Sequence, residues 1–177
     1  MNRMRVKFVI LCEDKQQEVF TRRFLRKRGI GSREVKAVTS PSAKGAAENW
    51  VRKNFVKELT TYRASTTSSA LITMIDGDTI GVNRRIQQLK QECRNSEIPY
   101  KNDNEAVMIA VPTRNIETWI RFLNGYEVDE AVVYPKLQRQ SYCQPAVNRL
   151  LEICNNQESI TECSSLAIAC EEYKSII

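Results

Sequence analysis

The sequence predicts an α/β domain built on a mainly parallel four-stranded sheet flanked by helices, with further helices at its C-terminal end. Short strand-like runs alternate with amphipathic, helix-length segments along most of the 177 residues. Two of the runs, Leu71-Ile72-Thr73-Met74-Ile75 and Ala106-Val107-Met108-Ile109-Ala110-Val111, have the make-up of strands covered on both faces, as in the middle of a parallel sheet. No sequence repeat, low-complexity segment or linker interrupts the alternation. The length is that of one domain, with a core over about residues 4–123 and a flap and closing helices over 124–177.

The elements follow in order. Residues 5–12 read as a first strand that becomes fully apolar toward its end and finishes at Glu13-Asp14. A helix over 15–28 places Val19, Phe20, Phe24 and Leu25 on one face and its arginines on the other, and Gly29 and Gly31 end it. Residues 34–39 make a short second strand. Ser40-Pro41-Ser42 is a helix-start signal for 43–59, where Ala47, Trp50, Val51, Phe55 and Leu59 recur at helical spacing, with Trp50 read as core. Residues 60–68 read as a polar loop before the central strand. A third helix over 82–94 turns Val82, Ile86, Leu89 and Cys93 inward and Arg84, Arg85 and Lys90 outward. After the apolar strand 106–111 and the turn Pro112-Thr113-Arg114-Asn115, residues 116–123 form a helix. Residues 124–144 are irregular and suit a flap over the carboxyl edge of the sheet. Helices over 145–154 and 164–176 close the chain, the last carrying Leu166, Ile168, Ala169, Tyr173 and Ile176 as packing or docking residues.

The chemistry gathers at strand ends. Ligands of open parallel sheets sit outside the carboxyl ends of the strands. Glu13 ends the first strand, Asp76 and Asp78 the third, and Arg114 and Glu117 follow the fourth. Asp-Gly-Asp is also ordinary turn chemistry. Acids recurring at several strand ends are more specific, because parallel strands bring them to one edge. Glu13, Asp76, Asp78 and Glu117 then offer oxygen ligands suited to Mg²⁺ or Mn²⁺, with Gly77 letting the backbone turn between the two aspartates. Such a site supports phosphodiester hydrolysis through a metal-bound water, and Arg114 is placed to stabilise charge developing on the phosphate.

Composition narrows the function further. There is no histidine, which excludes Ser-His-Asp and Cys-His catalysis and a histidine base. None of the six cysteines forms a Cys-x-x-Cys pair, so the usual structural zinc patterns are missing. Cys12, Cys93, Cys154 and Cys170 read as small core hydrophobes, and free thiols suit a reducing cytosol. No apolar run is long enough to span a bilayer or to serve as a signal-peptide core, so a cytoplasmic protein is expected. The net charge of +6 is uneven: the first 60 residues hold 15 Lys/Arg against 6 Asp/Glu. That basic third, densest at Arg22, Arg23, Arg26, Lys27 and Arg28, suits a nucleic acid or another polyanion, with Arg84 and Arg85 as further contacts. A solvated helix face is the alternative reading of the same cluster.

These residues resemble a known family. A Glu at the end of the first strand followed by a strand ending in Asp-x-Asp is the signature of the Toprim domain, found in topoisomerases, primases and the overcoming-lysogenization-defect nucleases. The resemblance is nearest to small stand-alone prokaryotic Toprim-like proteins, including the RloB-like group. It is carried by Cys12-Glu13-Asp14 with Glu18, by Ile75-Asp76-Gly77-Asp78, by Ile116-Glu117-Thr118-Trp119 and by the closing segment from Ser164-Ser165-Leu166 to Glu172-Tyr173. Asp14 stands where that group has glycine, and Gln17 where it has a second Glu, with Glu18 one position late and read as a solvated helix residue. The resemblance implies a Rossmann-like fold and a divalent-metal-dependent nuclease used against phage or plasmid nucleic acid, often beside an ATPase partner. The chain has no Gly-x-x-x-x-Gly-Lys-Ser/Thr loop of its own. Two alternatives stay open: a catalytically inactive module that binds nucleic acid or protein, and a metal-dependent phosphatase or phosphotransferase acting on small phosphate esters.

Overall fold

The computed structural model describes residues 7–41 and 45–177. Strands β1 (Phe8–Cys12), β2 (Val35–Thr39), β3 (Ala70–Met74) and β4 (Val107–Ala110) form one sheet in the order β2-β1-β3-β4, and every neighbouring pair is parallel. The α/β class expected from the alternation is the one observed. Helices α1 (Lys15–Lys27), α2 (Ala47–Ala64) and α3 (Gly81–Asn95) connect successive strands, and α4 (Ile116–Leu123), α5 (Gln144–Asn156) and α6 (Ser164–Lys174) follow β4. Arg5 and Val6 of the expected first strand, Ser42 of the helix-start signal and the first two residues expected in the second helix lie outside the described residues.

Strand periodicity divides the interior into two layers. Along β3, Ala70, Ile72 and Met74 join one core with Phe20, Phe24 and Leu25 of α1 and residues of α4, α5 and α6. Leu71, and Ile75 just past the strand, join the other with Val51, Phe55 and Leu59 of α2 and Leu89 and Cys93 of α3. The crossover from β1 to β2 steps one way across the sheet, and those from β2 to β3 and from β3 to β4 step the other way. Their helices lie on opposite faces accordingly, as a single crossover hand requires. The reversal of direction falls between β1 and β3.

Helix α2 runs five residues beyond the expected end and absorbs half of the expected polar loop. Tertiary contacts hold its last turn: the Tyr62 hydroxyl accepts from the Ala106 amide at 2.8 Å, and Arg63 donates to both oxygens of Glu105 at 2.6 and 3.0 Å. Thr60 and Thr61 add hydroxyl bonds to the carbonyls four residues back. On the last helix, Ile168 is exposed, against its expected packing role, while Leu166, Ala169, Tyr173 and Ile176 are buried. Trp50 is half-buried against the second core.

Helix α6 also closes the β4 edge of the sheet. The Ile109 amide donates to Glu172 Oε2 at 3.2 Å, and Lys101 pairs with the same oxygen at 2.8 Å. The Val107 amide donates to the Glu105 carbonyl at 2.8 Å.

The segment between α4 and α5 is irregular up to a short 3₁₀ turn at Gln140–Cys143, and it is tied down at several points. Glu130 accepts from the amides of Ser164 and Ser165 at 3.0 and 3.1 Å, from both serine hydroxyls, and from Thr113 Oγ1 at 3.2 Å. A carboxylate thus sits on the first amides of α6, where the helix dipole favours negative charge. Burial pushes the Glu130 carboxyl up, but the hydrogen bonds from Ser165 and Ser164 outweigh it and hold it below the usual range. Asn115 Nδ2 donates to the Tyr134 carbonyl at 3.0 Å, and the Arg121 guanidinium lies over the rings of Tyr126 and Tyr134. Replacing Glu130 with Ala strands these donors. A loss of about 1–3 kcal/mol is expected, read as a lower urea midpoint with unchanged m-value.

Candidate active site

Three strand ends meet in one open cleft of about 670 Å³ at the carboxyl edge of the sheet. Its lining includes Glu13, Asp14, Glu48, Asp76, Asp78, Arg85, Arg114, Glu117, Tyr134 and Lys136. It lies at the reversal between β1 and β3, the position where doubly wound sheets leave a crevice. The expected quartet Glu13, Asp76, Asp78 and Glu117 is therefore brought to one cleft, with Arg114 beside it.

Local structure sets each side chain. Asp14 caps α1 by accepting from the Gln17 amide at 2.9 Å. Gln17, completely buried, then bridges two strand ends: its Oε1 accepts from the Glu13 amide at 2.9 Å, and its Nε2 donates to Asp76 Oδ1 at 2.9 Å. Glu13 Oε2 in turn accepts from the Asp76 amide. Glu117 occupies the first turn of α4, where the helix N-terminus favours a carboxylate. It is 4 % exposed, and its Oε1 has no hydrogen-bond partner. The Arg114 Nε–H is likewise buried and unpartnered.

The turn after β3 differs from its expected form. The left-handed residue is Asp78, with φ 49°, and not Gly77. Glycine is required at 77 for a different reason. The Gly77 amide donates to the Pro112 carbonyl at 2.8 Å, and a Cβ at this position would lie 2.2 Å from the Thr113 carbonyl oxygen. The Asp78 amide donates to the Arg114 carbonyl at 3.3 Å, so the two chains stay clasped past the ends of β3 and β4.

Arg85 overturns its sequence reading. It is 3 % exposed and faces inward, and is thus no surface contact for nucleic acid. Nε donates to the Asp76 carbonyl at 2.8 Å, Nη2 to Asp78 Oδ2 at 2.9 Å, and Nη1 to Glu48 Oε2 and Gln88 Oε1 at 2.8 and 2.7 Å. Carboxylates on two neighbouring elements and a strand-end carbonyl make this burial tolerable for a cation. Asp78 therefore leans toward Arg85. Among the described residues no three His, Cys, Asp or Glu side chains are grouped closely enough to hold a metal ion.

Arg84 is exposed in the first turn of α3 and is not part of the cleft lining. The basic cluster of α1 lies elsewhere. Helix α1 leaves the carboxyl edge at Asp14, so Arg26 and Lys27 in its last turn stand roughly 20 Å away along the helix axis. Both are exposed. Arg22 is held by Glu18 at 3.0 Å and by the Val35 carbonyl, and Arg23 by Gln144 at 2.6 Å. Glu18 is not the solvated residue expected: it is buried, and Thr39, Lys15 and Arg22 surround its carboxylate. The cations of the cleft are Arg85, Arg114 and Lys136. Lys136 stands 3.7 Å from Asp14.

The acids resist ionisation together. Burial pushes the Glu13 carboxyl up to about 7, with the Asp78 charge adding to it and the Asp76 amide opposing it. Asp76 is raised well above the usual range, first by burial and then by the charge of Glu13. Burial also raises Asp78 against the pull of Arg85, and raises Glu117.

Sequence reasoning missed Gln17 as a site residue, although Asp14-x-x-Gln17 has the spacing of a capping box. It also missed Glu48 and Lys136, which no local pattern marks.

Two outcomes follow from this geometry. Gly77→Ala forces backbone apart at the clasp and is expected to cost on the order of 1–3 kcal/mol in urea unfolding. The Glu13 carboxyl rises from 4.5 to about 7 on folding, so the folded state holds this proton more tightly than the unfolded chain. Its contribution to stability is present below pH 4.5 and is lost as pH rises to about 7, on the order of 3 kcal/mol. Glu13→Gln, which keeps an acceptor for the Asp76 amide, is expected to be more stable than wild type at pH 8. That gain shrinks at pH 5, as read from paired urea midpoints.

Compared with known proteins, the chain matches no family model, no curated protein and no solved structure.

Proposed function

We propose that the chain is a divalent-metal-dependent nuclease that hydrolyses phosphodiester bonds of DNA or RNA. The observation that carries this reading is the meeting of Glu13, Asp76, Asp78 and Glu117 in one cleft at the sheet's reversal point, with Arg114 beside them. The donor chemistry suits Mg²⁺ or Mn²⁺, being all carboxylate oxygen with Glu117 Oε1 buried without a partner, and the acids would have to draw closer together than they stand in this structure to ligate an ion. Burial raises the proton affinity of all four acids, the neighbouring acids add to it at Glu13 and Asp76, and a bound cation would offset both effects. Glu13, Asp76 and Glu117 would hold the ion, and Asp78 would join by turning from Arg85.

A divalent ion held there would supply a water of lowered pKa and a counter-charge for the attacked phosphate. The chain's own residues do the rest. Gln17 holds the Asp76 carboxylate in place, and Arg85 fixes the turn that carries Asp76 and Asp78. Arg114, with its unpartnered Nε–H, is the cation available to a phosphate oxygen. Lys136 in the cleft lining suits a flanking phosphate, Arg84 would meet one just outside the cleft, and the exposed Arg26 and Lys27 would meet only substrate extending well beyond it. The Toprim resemblance supports the same chemistry, and with it a cytoplasmic role in defence beside an ATPase partner. Among the described residues no helix is long and apolar enough to cross a membrane.

A second reading has its own support. The ion pair between Asp78 and Arg85, together with the lack of a ready ligand group among the described residues, favours a Toprim-like module that binds nucleic acid without cutting it. One experiment separates them. DNA and RNA in single- and double-stranded form are incubated with Mg²⁺, with Mn²⁺ and with EDTA. The nuclease reading expects cleavage that EDTA abolishes and that Asp76→Asn lowers on the order of 100-fold or more. Cleavage surviving EDTA or the substitution overturns the mechanism. Metal-independent, salt-sensitive binding without cleavage establishes the module.

A further inference from the structure

Four of the six cysteines are buried, and Cys154 and Cys170 are the two with partial exposure. They come from different helices, α5 and α6, yet their thiols lie near enough to shift each other's acidity. Both line an apolar cavity of about 60 Å³ between the sheet and α1, α4, α5 and α6. Its other walls, including Phe24, Met74, Trp119 and Tyr173, are buried. The two sulfurs thus stand where that cavity comes nearest to solvent, and both also line the outer groove between the α5–α6 connection and residues 101–105. The sulfurs are close, come from separate elements, and are reachable from outside.

We propose that Cys154 and Cys170 are a redox modification site, oxidised by low-molecular-weight disulfides to an intramolecular disulfide that staples α5 to α6 over the cavity. Cys154 is the attacking thiol. The neighbouring Cys170 thiol brings the Cys154 pKa down to about 7 against the opposing effect of burial, and Arg28 and Lys174 favour the thiolate further. Cys170 is pushed the other way by its thiol neighbour and by burial, so it is the resolving thiol. The Cys154 thiolate attacks one sulfur of the small disulfide, breaking its S–S bond and releasing one small thiolate, which takes up a proton. Cys170 then loses its proton, attacks Cys154 Sγ and expels the second small thiol. Two protein thiols are oxidised and one small disulfide is reduced to two thiols. Closing the bond brings the sulfurs to about 2.05 Å.

This site is independent of the carboxylate cleft, so it stands whether or not the chain cuts nucleic acid. The test treats the full-length protein with oxidised glutathione and maps its peptides without reduction. Wild type is expected to lose two hydrogen masses and to yield one cross-linked peptide pair holding Cys154 and Cys170. Cys12, Cys93, Cys143 and Cys163 should stay reduced, and dithiothreitol should reverse the change. Cys170→Ser is expected to accumulate a glutathione adduct on Cys154, and Cys154→Ser to give no cross-link. Three results overturn the proposal: a lasting glutathione adduct on wild type, a bridge between any other pair, or no modification of either thiol.

Discussion

The hydrogen bond from the Asp76 amide to the Glu13 carboxylate spans the gap where the chain reverses its direction across the sheet. A doubly wound sheet opens at that gap, because the loops after β1 and β3 leave toward opposite faces. Glu13 closes it from one side, and Gln17 closes it from the other by holding both the Glu13 amide and the Asp76 side chain. The remaining loops are fixed relative to this bridge. Arg85 grips the Asp76 carbonyl, and the Gly77 and Asp78 amides then tie the same turn to the loop that carries Arg114 and leads into α4.

This closure concentrates like charge. Glu13, Asp76 and Glu117 are packed where water is scarce, and each binds its proton more tightly for that reason. The molecule meets part of the imbalance with a buried guanidinium: Arg85 serves Asp78, Glu48 and a backbone carbonyl at once. The arrangement is poor for stability and leaves partners for added positive charge already in place. Stability is recovered away from the cleft, in two apolar layers and in the Glu130 clamp on α6.

The fold was legible because its signals are periodic. Alternating runs marked all four strands, and the bounds of α4 agree with the 116–123 pattern. The gathering of Glu13, Asp76, Asp78 and Glu117 was legible as well, since it needs only parallel strands and a carboxyl edge. The side-chain partnerships were not. Arg85 occupies a polar position in the helix pattern, and only the carboxylates of distant Glu48 and nearby Asp78 make its inward rotamer favourable. The basic run of α1 suits a polyanion by composition, but the direction of the helix carries Arg26 and Lys27 roughly 20 Å away from the carboxyl edge. The extension of α2 through Ala64 depends on Glu105 and Ala106, some forty residues later, which no local window contains.

The Glu172 contact has a bearing on assembly. A lone edge strand offers a row of amide donors to any passing chain. On β4 the Ile109 donor is taken by a carboxylate and the Val107 donor by the carbonyl of its own turn. A foreign strand arriving at that border meets occupied donors and a covering helix. Growth of the sheet into a larger ribbon, if it happens at all, is directed to the opposite margin along β2.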